Sequence, residues 1–155
     1  MSMFCFQCQE TFKNSGCVNR GVCGKTSDVA NLQDFLLWIS KGLSEIAVKS
    51  ERENKEVVDR VILNLFTTIT NANFDFSQIK DRIFETIDMM NSIREDKDYS
   101  EAAMFSSKDF SEIEEKIALL TSQDIDFMNR CIEKESFALR NGHMLANALQ
   151  CAIEN

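Results

Sequence analysis

The sequence predicts an all-α protein: a three-helix bundle followed by further C-terminal helices, with a cysteine-rich loop at the amino terminus. Proline is absent and only five glycines occur in 155 residues, a composition that lets long helices run uninterrupted. Beyond residue 27 apolar residues recur at steps of three and four, the spacing of one buried helical face. No stretch alternates with the two-residue period of a half-buried strand. Hydrophobic content of 44% and charged content of 27% are those of a globular chain. Its length suits one domain with a single core and falls short of two or three. Residues 1–155 therefore read as one helical domain, in which a loop of residues 1–26 packs on the helices of 27–155.

Taken in order, the chain opens with MSMFCFQCQETFKNSGCVNRGVCGKT. Four of its six cysteines, Cys5, Cys8, Cys17 and Cys23, fall within nineteen residues, with two, eight and five residues between them. Three of the five glycines, Gly16, Gly21 and Gly24, stand beside them. These are expected to supply the positive φ that a chain wrapping one centre needs. Thr26, Ser27 and Asp28 offer cap side chains for a first helix, whose inner face is Leu32, Phe35, Leu36, Ile39, Leu43, Ile46 and Ala47 and which ends near Lys49. Its positive end is expected beside Cys23 and Gly24, where it favours an anionic centre.

Ser50 to Lys55 is a charged connection. A second helix follows, with Val57, Val58, Val61, Ile62, Leu65, Phe66 and Ile69 expected inward, even though Thr67, Thr68, Ile69 and Thr70 also suit a strand. Asn71 to Asn73 end it, and Asp75 or Ser77 caps a third helix that turns Ile79, Ile83, Phe84, Ile87 and Met90 inward. Short connections make antiparallel neighbours the economical packing. Residues 92–108 show no period, so a loop is expected there, with at most a short turn at Ala102 to Phe105. A fourth helix from about Asp109 uses Phe110, Ile113, Ile117 and Leu120. Another begins at Ser122 or Asp124 with Ile125, Met128 and Ile132. After the Asn141-Gly142 break, a last helix is expected over His143 to Ile153.

Four thiolates without a nearby histidine suit an iron–sulfur cluster or a structural zinc, since both accept tetrahedral sulfur ligation. Only Cys5 and Cys8 form a short-spaced pair, whereas zinc usually takes two, so the spacing favours iron and sulfur and leaves zinc as the alternative. No charged-then-apolar leader opens the sequence, so the thiols are expected in a reducing cytoplasm and disulfides are not expected. Unligated core cysteines fit poorly in a glycine-rich segment with no period in which to bury them. Phe4, Phe6 and Phe12 flank the cysteines as an apolar collar.

Elsewhere the chemistry is sparse. Cys131 and Cys151 read as small buried hydrophobes. His143, the sole histidine, reads as a surface or cap residue, so no Ser-His-Asp triad is expected. Glu10, Glu45 and Glu85 show no carboxylate partner, and no phosphate-binding glycine loop appears. Net charge is −8: residues 1–30 balance at +1 and the remainder holds −9. An acidic body is unsuited to nucleic acid, and no apolar run approaches the roughly 20 residues of a membrane span.

The runs FCFQCQET, GC, GVCGK and VANLQDFLLWISKGLSEIA, followed by LFTTITNANFD at residues 65–75, resemble the amino terminus of the hybrid-cluster proteins, also called prismane proteins or hydroxylamine reductases. The likeness covers roughly the first 90 residues and is fainter at 119–132. Within that family the two, eight and five spacing marks the form carrying a four-iron four-sulfur cubane. The resemblance thus implies a [4Fe-4S] cluster on Cys5, Cys8, Cys17 and Cys23 and a one-electron relay that serves hydroxylamine or nitric oxide reduction at a second cluster held by later domains. Family members are several times longer than this chain, so the implied partner is a redox protein or the catalytic domains of a longer polypeptide. A module of another class, a helical interaction unit with zinc or nothing on its four cysteines, is the competing reading.

Overall fold

A computed structural model describes residues 3–50, 54–69 and 72–140. The fold is all-helical, as expected. After a short 3-10 turn at Phe12–Asn14 come α1 (Ser27–Ser50), α2 (Lys55–Thr68), α3 (Phe76–Ile93), α4 (Glu101–Met104) and α5 (Phe110–Arg140). His143, Cys151 and the helix expected over 143–153 lie outside the described residues, as does the side chain of Cys131.

Capping residues set the helix starts. Asn54 accepts a hydrogen bond from the Val57 N–H at 3.2 Å, and Asp75 accepts one from the Gln78 N–H at 3.1 Å. Each side chain satisfies a donor that the first turn leaves unpaired. At one end of the bundle Gln33 Nε2 donates to Asn73 O at 2.8 Å, and at the other Lys49 Nζ donates to Asp98 O at 2.6 Å. The connection before α3 therefore lies beside the start of α1, and the connection after it beside the end of α1. The three helices run up, down and up, with α2 antiparallel to the other two.

Helix α1 is the hub, packing against α2, α3, α4 and α5. Its Phe35, Leu36, Ile39, Leu43 and Ile46 meet Ile79, Ile83, Ile87 and Met90 of α3, and Ile113 and Ile117 of α5 close the cluster. Phe35, Trp38 and Phe105 stack edgewise or tilted, with ring centroids 5.3–5.6 Å apart.

Helix α2 departs from the sequence reading. Val57 is buried and Val61 is partly so, but Val58, Ile62, Leu65, Phe66 and Ile69 face outward. The inward face carries Asn64, Thr67 and Thr68 instead. Asn64 Nδ2 donates to Ser40 Oγ and to Thr86 Oγ1, both at 2.9 Å, and those hydroxyls donate onward to Leu36 O and Arg82 O. This chain of bonds allows a polar residue to be fully buried between three helices, since each amide hydrogen finds an acceptor.

One further expectation is corrected. The predicted break at Ser122 or Asp124 is absent, because α5 continues through it: Ser122 Oγ donates to Leu119 O at 2.8 Å, so its hydroxyl serves a mid-helix carbonyl rather than a cap. The short turn expected near Ala102 is present as a one-turn helix, α4, capped by Ser100. Among the described residues no helix is long and apolar enough to cross a membrane.

Candidate functional site

Residues 3–26 fold back on themselves before entering α1. Cys5 and Cys17 form an isolated antiparallel bridge, with Cys5 N donating to Cys17 O at 3.0 Å and Cys17 N to Cys5 O at 2.9 Å. Met3 N donates to Val18 O at 3.2 Å and extends the pairing. Met3, Cys17 and Ala30 are buried together, with Cys5 packed beside them, so the bridge is the part of the loop that docks on α1. Gly16 and Gly24 have φ of +100° and +93°, as expected. Gly21 does not; what it provides is space, since a Cβ there would lie 3.1 Å from both Cys23 Sγ and Lys25 Cβ. Phe4 covers Gly16 and Phe6 is half-buried, while Phe12 is 52% exposed, so the aromatic collar is partial.

The four loop thiols differ in surroundings. All are free; Cys17 is buried, Cys5 and Cys8 are half-buried and Cys23 is exposed. Burial works against the thiolate of Cys17, but the Phe12 and Val22 N–H groups, the Thr11 hydroxyl and the Lys25 charge outweigh it and hold its pKa below the ordinary thiol value. Phe12 N lies 3.5 Å and Thr11 Oγ1 3.6 Å from Cys17 Sγ. Burial pushes the Cys5 thiol up, and the Gln7 N–H and Lys25 offset this only in part.

Among the described residues no three cysteine, histidine, aspartate or glutamate side chains gather closely enough to hold a metal ion. Donor chemistry, by contrast, fits a soft-metal centre. Four thiols occupy one loop, and Cys17 is held toward its anionic form by the kind of N–H donors that thiolate ligands accept.

A family model described as Prismane/CO dehydrogenase family matches residues 3–142. The chain belongs to that family. Hydroxylamine reductase from Clostridium perfringens (strain 13 / Type A) is 50% identical over 98 residues, which are 61% of this chain and 18% of that protein. Hydroxylamine reductase from Caldanaerobacter subterraneus subsp. tengcongensis is 50% identical over 99 residues, 62% and 18% of the two chains. The Desulfitobacterium hafniense (strain DSM 10664 / DCB-2) protein of the same name is 46% identical over 99 residues, again 62% and 18%. The chain thus spans under a fifth of the length of these relatives. The family match reaches further along the chain than the 90 residues in which the sequence resemblance is plain.

Two charged residues of this prismane-family chain escaped the sequence reading. Lys25 is 1% exposed, with Nζ donating to Gln7 Oε1 at 2.9 Å and lying 5.9 Å from the centre of the Phe74 ring. Its charge favours the thiolates of both Cys5 and Cys17. Asp34, on α1, is pushed up to about 7 by burial; the charge of Asp124 on α5 adds to this and Lys25 opposes it. Only the placement of Asp34 as the single charge in the run VANLQDFLLWI hinted at a special role.

The raised Asp34 pKa has a sign for stability. Between the ordinary value of 3.8 and about 7, folded chains hold a proton that unfolded chains have released. This group's contribution is therefore complete below 3.8 and is lost as pH rises through about 7. In the cluster-free protein, Asp34→Asn is expected to melt higher than wild type at about pH 8, with the gap closing toward pH 4. Thermal melts across this range check it, and parallel curves would refute the assignment.

Proposed function

We propose that Cys5, Cys8, Cys17 and Cys23 hold a [4Fe-4S] cluster and that the chain relays single electrons in the cytoplasm, as the amino-terminal part of a hydroxylamine reductase does in the sequence resemblance. The observation that carries this reading is the set of donors around Cys17, set beside family membership. A buried thiol given two backbone N–H groups, a hydroxyl and a lysine charge is arranged to lie as a thiolate, and a thiolate is the form that ligates iron. When bound, the cluster supplies reversible one-electron storage.

The chain's own residues bind, orient and shield. The Cys5–Cys17 bridge fixes two ligands against α1. Lys25 offsets part of the negative charge that four thiolates bring into one loop, and Phe4 and Phe6 limit water on its inner side. None of these groups is suited to reduce hydroxylamine by itself. That chemistry belongs to a redox partner or to further domains of a longer chain, which this segment would serve.

The competing reading is a helical interaction module whose four cysteines carry zinc or nothing, since four thiols in one loop also suit tetrahedral zinc. Anaerobic purification separates the two. About four irons and four sulfides per chain, with broad absorbance near 400 nm, are expected for the cluster, whereas colourless protein with one zinc or none would overturn it.

A further inference from the structure

The bridge that docks the loop on α1 also sets two thiols against each other. Cys5 and Cys17 exchange both backbone hydrogen bonds, at 3.0 and 2.9 Å, which makes them a directly opposed pair of an antiparallel ladder. Opposed residues send their side chains to one face, and a pair bonded in this way has Cα atoms about 5.5 Å apart. Disulfides join Cα atoms about 4.4–6.8 Å apart. The Cβ atoms of such a pair need to approach by only about 1 Å for the sulfurs to bond. Packing agrees with the backbone: Met3, Cys17 and Ala30 are buried together on α1 and Cys5 lies against them. Thr11 Oγ1 donates to Cys5 O at 3.2 Å and lies 3.6 Å from Cys17 Sγ, so one buried hydroxyl holds both cysteines in register. Among the described residues no other two cysteines exchange backbone bonds. We propose that Cys5 and Cys17 form a redox modification site: in the cluster-free chain a peroxide converts them to a disulfide, which withholds two of the loop's thiols from metal until it is reduced. The bond needs only this pair; what it regulates rests on the cluster reading.

The chemistry balances. Peroxide transfers one oxygen to the sulfur of the half-buried Cys5, giving a sulfenic acid and water. The Cys17 sulfur then attacks the Cys5 sulfur: the S–S bond forms, the S–O bond breaks, and hydroxide leaves with the Cys17 proton as a second water. Two thiols lose two electrons in all, and one peroxide is reduced to two waters. An opposed thiol thus intercepts the sulfenic acid before a second peroxide carries it to sulfinic acid, which thiol reductants do not reverse. The disulfide, by contrast, is returned to two thiols by exchange.

The test uses the full chain, stripped of metal by a chelator under dithiothreitol, moved to anaerobic thiol-free buffer and given about one hydrogen peroxide per chain. Trypsin cuts after Lys13, Arg20 and Lys25, so Cys17 leaves on residues 14–20, apart from Cys5 and Cys8 on 1–13 and from Cys23 on 21–25. The expected product is 1–13 joined to 14–20 within one chain, two hydrogens lighter than the separate peptides and abolished by dithiothreitol. Cys8→Ser and Cys23→Ser should keep this link and Cys5→Ser should lose it, with the helical signal unchanged in all three. Iron uptake without added thiol should be about tenfold lower in the oxidised chain than in the reduced one, and dithiothreitol should restore it. A bond within 1–13, a link from Cys17 to Cys23, a link found only between chains, or one kept in Cys5→Ser and lost in Cys8→Ser overturns the proposal. So does sulfinic acid at Cys5 with no link. If the reduced chain takes no iron yet the link forms, the ligand assignment fails and the disulfide stands.

Discussion

Cys17→Ser is expected to leave the protein without a cluster: iron falls from about four per chain to below one after anaerobic reconstitution, and the visible absorbance goes with it. Serine keeps the size of the side chain and loses the soft donor, so the change removes a ligand without opening a cavity. The expected effect is large because the Cys17 sulfur is both a ligand and the acceptor of the Phe12 and Val22 N–H groups. Serine retains the two backbone bonds to Cys5, but with the sulfur contacts and the cluster gone residues 3–18 should loosen locally, with faster amide exchange at Cys5 and Cys17, while the helices α1 to α3 persist. Cys151→Ser is the control and should keep its full iron. Equal iron loss in the two variants would remove the ligand assignment, because a cysteine outside the loop would then matter as much as one inside it.

Spacing made the helices legible, yet it was silent on which face of α2 turns inward. A three-and-four pattern says that a helix has an apolar stripe, and burial of that stripe is the usual outcome in a chain that stands alone. Here Asn64 found Ser40 and Thr86, and the bundle accepted the polar side. That solution rests on hydroxyls contributed by two other helices, which no local window contains. The false break in α5 has a similar origin: Ser122 is a good cap in isolation, and only the continuing helix supplies the Leu119 carbonyl it bonds instead. In the loop, the four cysteines were legible as a set, as were the positive φ angles of Gly16 and Gly24. Lys25 and Asp34 were not, because burial of a lone charge is decided by what packs over it. Phe74 and Asp124 come from 49 and 90 residues further along the chain.

Gly42→Ala is expected to cost about 2 kcal/mol and lower the melting temperature by roughly 4–8 °C, although alanine is the better helix former. Gly42 sits in the middle of α1, where exchange for alanine would ordinarily stabilise by up to about 1 kcal/mol. Geometry reverses the sign. A Cβ at this position would lie 2.5 Å from the carbonyl carbon of Ala102 and 2.6 Å from Ala103 N, with Ala102 O nearer still. These are backbone atoms of α4, which cannot swing aside as the end of a flexible side chain can. Relief requires α4 to lift from α1. Ala103 is fully buried there, Phe105 stacks on Phe35 and Trp38, and Arg94 Nη1 donates to Ala103 O at 3.0 Å, so all three contacts weaken together. Overpacking of this kind costs about 1–3 kcal/mol, and the rigid obstacle puts this site at the upper end before the helix-propensity gain is subtracted. Because Ser100 and Glu45 tie the start of α4 to α1 through the Ser100 N–H and hydroxyl, the segment cannot simply detach. Comparing Gly42→Ala with Gly42→Ser and Ala47→Gly by thermal melts separates close approach from helix propensity: the first two should both melt lower than wild type, and an unchanged or raised melting temperature for Gly42→Ala would show that α4 yields without cost.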